Sequence, residues 1–210
     1  MPDTQYVRDG RSVKPVPESM RRMVHIAENS RNKASDWHRE SVVYHEFGHA
    51  IDAQRNLYLS PELKGLMAKQ TKILRKKKEY KVSQSYYDYN SNTYKSESVS
   101  VKMLQIEYAD KKLKELYSRI CRMKPETFTK RGITKEDVYE QIGSTRDAIM
   151  SLDIRYGFGH SKAYFKIPGM QEKEFIAHCF ENTYVGNQVF KKYLPELYDE
   201  MVNYIKGLSK

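Results

Sequence analysis

Tyr44-His45-Glu46-Phe47-Gly48-His49-Ala50-Ile51-Asp52 places two histidines four residues apart with a glutamate directly after the first. On a helix that spacing puts both imidazoles on one face. Both can then reach a single Zn²⁺, while the glutamate polarises the water that the metal activates. Val42, Val43, Phe47, Ala50 and Ile51 supply apolar neighbours, so the motif is expected on a buried helix. The spacing of signals predicts that helix from about Trp37 to Asn56, capped by Ser35 or Asp36. The plain alternative is a pair of surface histidines on an ordinary amphipathic helix.

Two histidines do not complete a catalytic zinc site, which takes a third protein ligand and keeps one position open. The sixth position after His49 is Arg55, which cannot bind a cation, and Asp52 stands where a glycine is usual for that arrangement. The third ligand is therefore expected from elsewhere in the chain. Glu174 is the leading candidate, in Gln171-Glu172-Lys173-Glu174-Phe175-Ile176-Ala177-His178-Cys179-Phe180. Phe175, Ile176, Cys179 and Phe180 pack such a helix, and Glu174 and His178 share one face a turn apart. An inward glutamate there is costly unless it is paired or binds metal. Glu172 and Glu181 read as solvated.

The 210 residues suit one domain, or one domain with a sizeable insertion. The sequence lacks the run of about 18 apolar residues that a transmembrane helix needs. Met1 to Arg11 is polar and does not read as a secretory signal, which points to a cytoplasmic setting. Cys121 and Cys179 are the two cysteines, and both are expected as small buried apolar residues. The net charge of +10 is concentrated: residues 61–135 carry 19 Lys and Arg against 8 Asp and Glu. Such a block can meet nucleic acid, although a solvated helical face explains it as well.

Along the chain, residues 1–19 read as an irregular arm, with the domain proper over 20–210. Met23 to Ala27 reads as a strand beside the motif helix. Ser60-Pro61 starts a helix running to about Lys78. Residues 80–98, with five tyrosines among Ser and Asn, read as a long loop or irregular hairpin. A helix follows from about Val99 to Cys121, so residues 61–135 form a basic, helical insertion. Thr134 with Asp137 makes a capping-box start for another helix, and residues 171–184 and 196–206 complete the set.

Three segments together carry a resemblance. His45-Glu46-Phe47-Gly48-His49-Ala50-Ile51-Asp52, Gly159-His160-Ser161-Lys162-Ala163-Tyr164-Phe165 and Glu174-Phe175-Ile176-Ala177 resemble the metallopeptidase domain of phage head-morphogenesis (Mu F-type minor head) proteins. The last segment is also similar to the glutamate-ligand helix of anthrax-lethal-factor-like zinc peptidases. Trp37 and Ser144-Thr145-Arg146-Asp147-Ala148-Ile149 add to it, and the likeness covers about residues 20–56 and 142–200. One departure is His178, where the family commonly has a second glutamate.

The resemblance implies a mostly helical α+β, zincin-like fold with a small sheet packed on the motif helix. It implies a zinc-dependent endopeptidase acting on protein or peptide, in a phage or prophage setting with head or portal proteins as partners. His45, His49 and Glu174 would be the ligands and Glu46 the general base. Tyr164 or His160 would stabilise the oxyanion. Asp52 would orient a ligand imidazole through its other nitrogen, and His178 would either do the same or compete as a ligand. Two rival readings are a virion structural or DNA-contacting protein with a non-catalytic zinc site, and a peptidase toxin or effector domain.

The basic segment carries its own test. Residues 61–135 should give weak, sequence-independent nucleic-acid binding that falls steeply as salt rises, because phosphate contacts release counterions. Tight, salt-resistant, sequence-selective binding in a salt-titrated anisotropy assay would instead make nucleic acid a principal partner.

Overall fold

The computed structural model describes residues 6–9, 12–15, 35–124, 126–129 and 134–208. Strands β1 (Tyr6–Asp9) and β2 (Ser12–Pro15) pair antiparallel, from Tyr6 opposite Pro15 to Asp9 opposite Ser12. The N-terminal arm thus contains regular pairing where an irregular run was expected. The strand expected at Met23 to Ala27 lies outside the described residues.

The remaining elements are α1 (Asp36–Arg55), α2 (Pro61–Leu74), β3 (Lys77–Asp88), β4 (Thr93–Leu104), α3 (Gln105–Arg122), α4 (Glu126–Thr129), α5 (Lys135–Leu152), α6 (Met170–Tyr184), α7 (Gln188–Tyr193) and α8 (Pro195–Leu208). The fold is mostly helical with small antiparallel pairs of strands, consistent with α+β. None of the described helices is long and apolar enough to cross a membrane.

Helix starts follow local chemistry. Ser35 caps α1 by accepting from the His38 N–H, and Ser60 caps α2 ahead of Pro61 by accepting from Leu63 N–H. Thr134 and Asp137 form the reciprocal capping box of α5. Ser35 Oγ also donates to Asp137 at 2.8 Å, which ties the starts of α1 and α5 together. At its far end α1 closes on Asn56 in the left-handed conformation, φ 51°.

The middle of the chain departs from the sequence reading. Helix α2 ends at Leu74, and residues 77–104 form a regular two-stranded ribbon, with Lys77 opposite Leu104 and Asp88 opposite Thr93. Val99, Val101 and Met103 alternate with polar residues at the strand period, while Ile106, Ala109, Leu113 and Ile120 keep the helical one in α3. The two periods adjoin at Leu104, so the helix expected from Val99 begins only at Gln105. Asp88 closes the turn by accepting from Asn90 N–H and Ser91 Oγ. Buried side chains occur only in the half of the ribbon away from its turn, at Met103 near the base and at Val82 midway along. Tyr80 stacks on Tyr108 of α3, with ring centroids 3.8 Å apart. The described ribbon therefore leans on α3 rather than on the motif helix.

Helix α6 is the centre of the fold: every residue from Glu174 to Asn182 is buried. A helix covered all round needs neighbours on each side, and α1, α5 and α8 supply them. Phe175, Ile176, Cys179 and Phe180 join Ile142, Ile149, Phe190, Leu197, Met201 and Ile205 in one core. Cys179 is buried as expected, but Cys121 is exposed on α3.

The contact between α1 and α6 depends on Gly48. A Cβ there would stand 2.8 Å from Ala177 Cα, a backbone atom that cannot swing away. Gly48→Ala should therefore part the two helices and destabilise the protein by about 1–3 kcal/mol, as overpacking does. Gly65→Ala at an exposed position of α2, where a Cβ meets nothing, should be neutral or stabilising. Denaturant midpoints of the two variants check this.

Candidate metal centre

The crossing of α1 over α6 brings His45 and His49 onto Glu174. His45 Nε2 lies 3.3 Å from Glu174 Oε2, and His49 Nε2 lies 3.5 Å from Glu174 Oε1. The three donor atoms all lie within 4.8 Å of one another, so these residues are close enough to hold one metal ion. Glu174 is 1% exposed, and its Oε2 makes no hydrogen bond among the described residues. A buried carboxylate oxygen facing an imidazole nitrogen without a hydrogen bond is the atom a cation would satisfy.

The other sequence-predicted residues gather nearby. Tyr164 OH donates to Glu174 Oε1 at 2.5 Å, and the His160 ring stacks on Tyr164 with centroids 4.4 Å apart. Glu46 is half-buried on α1, and its charge reaches the Tyr164 hydroxyl. Asp52 is placed otherwise than expected. It is buried, and its Oδ1 accepts from Tyr58 N–H at 2.7 Å, so it fixes the turn after α1 rather than an imidazole.

His178 stands behind the three donors. Its Nδ1 lies 3.0 Å from Glu181 Oε2 and its Nε2 lies 3.4 Å from Asp147 Oδ2. Glu181, expected in solvent, is 3% exposed, and its Oε2 also lies 3.4 Å from His45 Nδ1. Ser144 Oγ donates to the other oxygen of Glu181. Glu181 follows Glu174 by seven residues and His178 by three, a spacing that shares one helix face and could have revealed it. Asp147 was missed as well. It accepts from both the backbone N–H of His160, at 3.2 Å, and the His160 ring, at 3.1 Å.

The Gly-flanked loop makes that last contact possible. Gly157 adopts φ 81°, and a Cβ there would strike Arg146 O at 2.1 Å. At Gly159 a Cβ would fall 1.9 Å from Asp147 Oδ1. Both glycines let the backbone lie directly against α5.

Charge follows this geometry. Burial and the charge of His45 push the His49 imidazole down to about 4, against the pull of Glu174. It is neutral at pH 7, as a metal ligand must be. Burial disfavours a charged His45, but Glu174 and Glu181 outweigh it and raise its pKa. Glu174 is lowered to about 2, since His45, His49 and the Tyr164 hydroxyl overcome the burial that opposes ionisation. Burial also opposes charge on His178, Asp147 and Glu181, yet their mutual attraction wins. His178 is held well above the ordinary imidazole range, and the two carboxylates well below theirs. Burial and then Glu174 push the Tyr164 hydroxyl upward, so it remains a donor.

The chain matches no protein-family model, no curated protein and no solved structure. The candidate centre therefore rests on its geometry alone. Purified protein should carry about one divalent metal per chain at this centre, and His45→Ala and Glu174→Ala should each lose most of it by elemental analysis. Unchanged content in both variants would remove the assignment.

Proposed function

We propose that the chain is a zinc-dependent endopeptidase in which His45, His49 and Glu174 hold the metal. The observation that carries this reading is the spacing of the donors. Tetrahedral ligands about 2.0–2.1 Å from zinc stand roughly 3.3–3.4 Å apart; His45 Nε2 lies 3.3 Å from Glu174 Oε2 and His49 Nε2 lies 3.5 Å from the other oxygen, Oε1, and one donor atom from each of the three residues lies within 4.8 Å of the others. Two imidazoles and one carboxylate are also a donor set of catalytic zinc sites. When bound, zinc would act as a Lewis acid on the scissile carbonyl and make an attacking water more acidic.

The protein's own groups divide the remaining work. Glu46, next to ligand His45 on α1, accepts the proton of the attacking water at its carboxylate and passes it to the leaving amine. The Tyr164 hydroxyl and the His160 ring are the donors that can turn to the developing oxyanion. Glu181 holds His45 by Nδ1 and so leaves Nε2 facing Glu174. A structural metal site needs no base, so the presence of Glu46 favours hydrolysis over a purely stabilising ion.

The resemblance in His45–Asp52, Gly159–Phe165 and Glu174–Ala177 supports a phage or prophage setting, with head or portal proteins as the associated partners. The decisive experiment is Glu46→Gln. Glutamine keeps the size of the side chain but cannot take the proton, so zinc should stay bound while cleavage of an unstructured protein falls by about 10²–10⁴-fold. Cleavage at the wild-type rate in this variant would overturn the mechanism.

A further inference from the structure

Among the described residues, a groove of about 400 Å³ lies between α1 and α5. It follows Trp37, Ser41 and His45 along one face of α1 and Glu140, Gly143 and Asp147 along α5. From Trp37 to His45 the helix rises about 12 Å, at ~1.5 Å per residue. The inner end opens on the candidate metal centre: His45 is one of its three donors, and His160, which also lines the groove, has Nε2 3.9 Å from Glu174. A volume of this size is within the range of ligand sites.

The polar side chains of the groove are already paired. Trp37 Nε1 donates to Gly186 O at 2.6 Å, Ser41 Oγ donates to His38 O at 2.9 Å, and His38 Nδ1 lies 3.1 Å from Glu140. At the inner end Asp147 and Glu181 both meet His178. A charged occupant would therefore leave water without gaining a partner. Val42 and the rings of Trp37 and Phe158 offer apolar surface instead, and Phe158 is 67% exposed at the rim. Gly143 sets the room between the helices: a Cβ there would meet nothing within 4 Å, so the α5 wall is open at that residue.

We propose that this groove takes a large apolar side chain, aromatic or leucine-like, from the substrate residue beside the scissile bond, and that Gly143 sets the upper limit on its size. A peptide lying over His45 and His160 passes the mouth of the groove, so one of its side chains has this space to enter. The proposal rests on the endopeptidase reading for the bond that is cut, but occupancy of the groove is measurable without turnover.

The test titrates zinc-loaded Glu46→Gln protein, full chain, with short blocked alanine peptides carrying Phe, Leu, Ala, Lys or Glu at the centre. Trp37 is the single tryptophan of the chain and lines the groove, so its fluorescence reports occupancy. The Phe and Leu peptides should bind about tenfold or more tightly than the other three. Adding Gly143→Leu should leave the protein folded, since leucine suits a helix and its Cβ has room, and should bring the Phe-to-Ala affinity ratio down to about one, with Gly143→Ala in between. In the protein with Glu46 intact, Gly143→Leu should move the cut sites, mapped by mass spectrometry, from large apolar residues to small ones. Three results would overturn the proposal: no saturable binding of any peptide at millimolar concentration, equal binding of the Phe and Lys peptides, or a Phe-to-Ala ratio that Gly143→Leu leaves unchanged. The expected binding in a wild type that cuts no protein would instead count against the endopeptidase reading and support the groove.

Discussion

The close approach of Gly48 to Ala177 is the constraint from which the centre follows. With the two helix backbones in contact, the imidazoles of α1 project straight onto the carboxylate of α6. No flexible side chain has to bridge a gap. A larger residue at this crossing would move both histidines together, because they lie on one rigid helix. The geometry of the donor set is thus set by backbone packing, and the polar groups inherit it.

That packing also forces charged groups into the core. Helix α6 is covered on every side, yet it carries Glu174, His178 and Glu181. Isolated charges in such surroundings are strongly unfavourable, and they persist when each meets a partner of opposite sign. Here Asp147, His178 and Glu181 form an alternating chain that reaches His160 at one end and His45 at the other. The departure at His178 becomes intelligible in this light. An imidazolium between two carboxylates neutralises them, whereas a third carboxylate in that place would have added a like charge. Removal of one member would leave its neighbours buried and uncompensated.

What the sequence made legible was whatever rests on local spacing. His45, Glu46 and His49 declare themselves by their separation on one helix. Glu174 does so by standing inside an apolar run, and Ser60-Pro61 and Thr134 with Asp137 are self-contained starting signals. Asp147, Ser144 and Glu181 were harder to see, because a charged or polar residue looks solvated until its partner on another helix is known. The ribbon was obscured for a different reason. Most of its residues face solvent on both sides, so no alternating apolar pattern marks them, and its last valines run directly into the helix that follows. Asp52 misled by position: it lies one turn from His49, but the turn after α1 needs an acceptor for Tyr58 N–H more immediately.

The ribbon has a consequence of its own. Twelve residues in each strand pair along its length, but buried side chains anchor it only near Val82 and Met103. A two-stranded ribbon without a packed face has little stability of its own. The half nearer the turn, residues 83–98, buries no side chain and is therefore where local opening meets least resistance. That half of the ribbon can part its strands without disturbing His45, His49 or Glu174, which lie on α1 and α6.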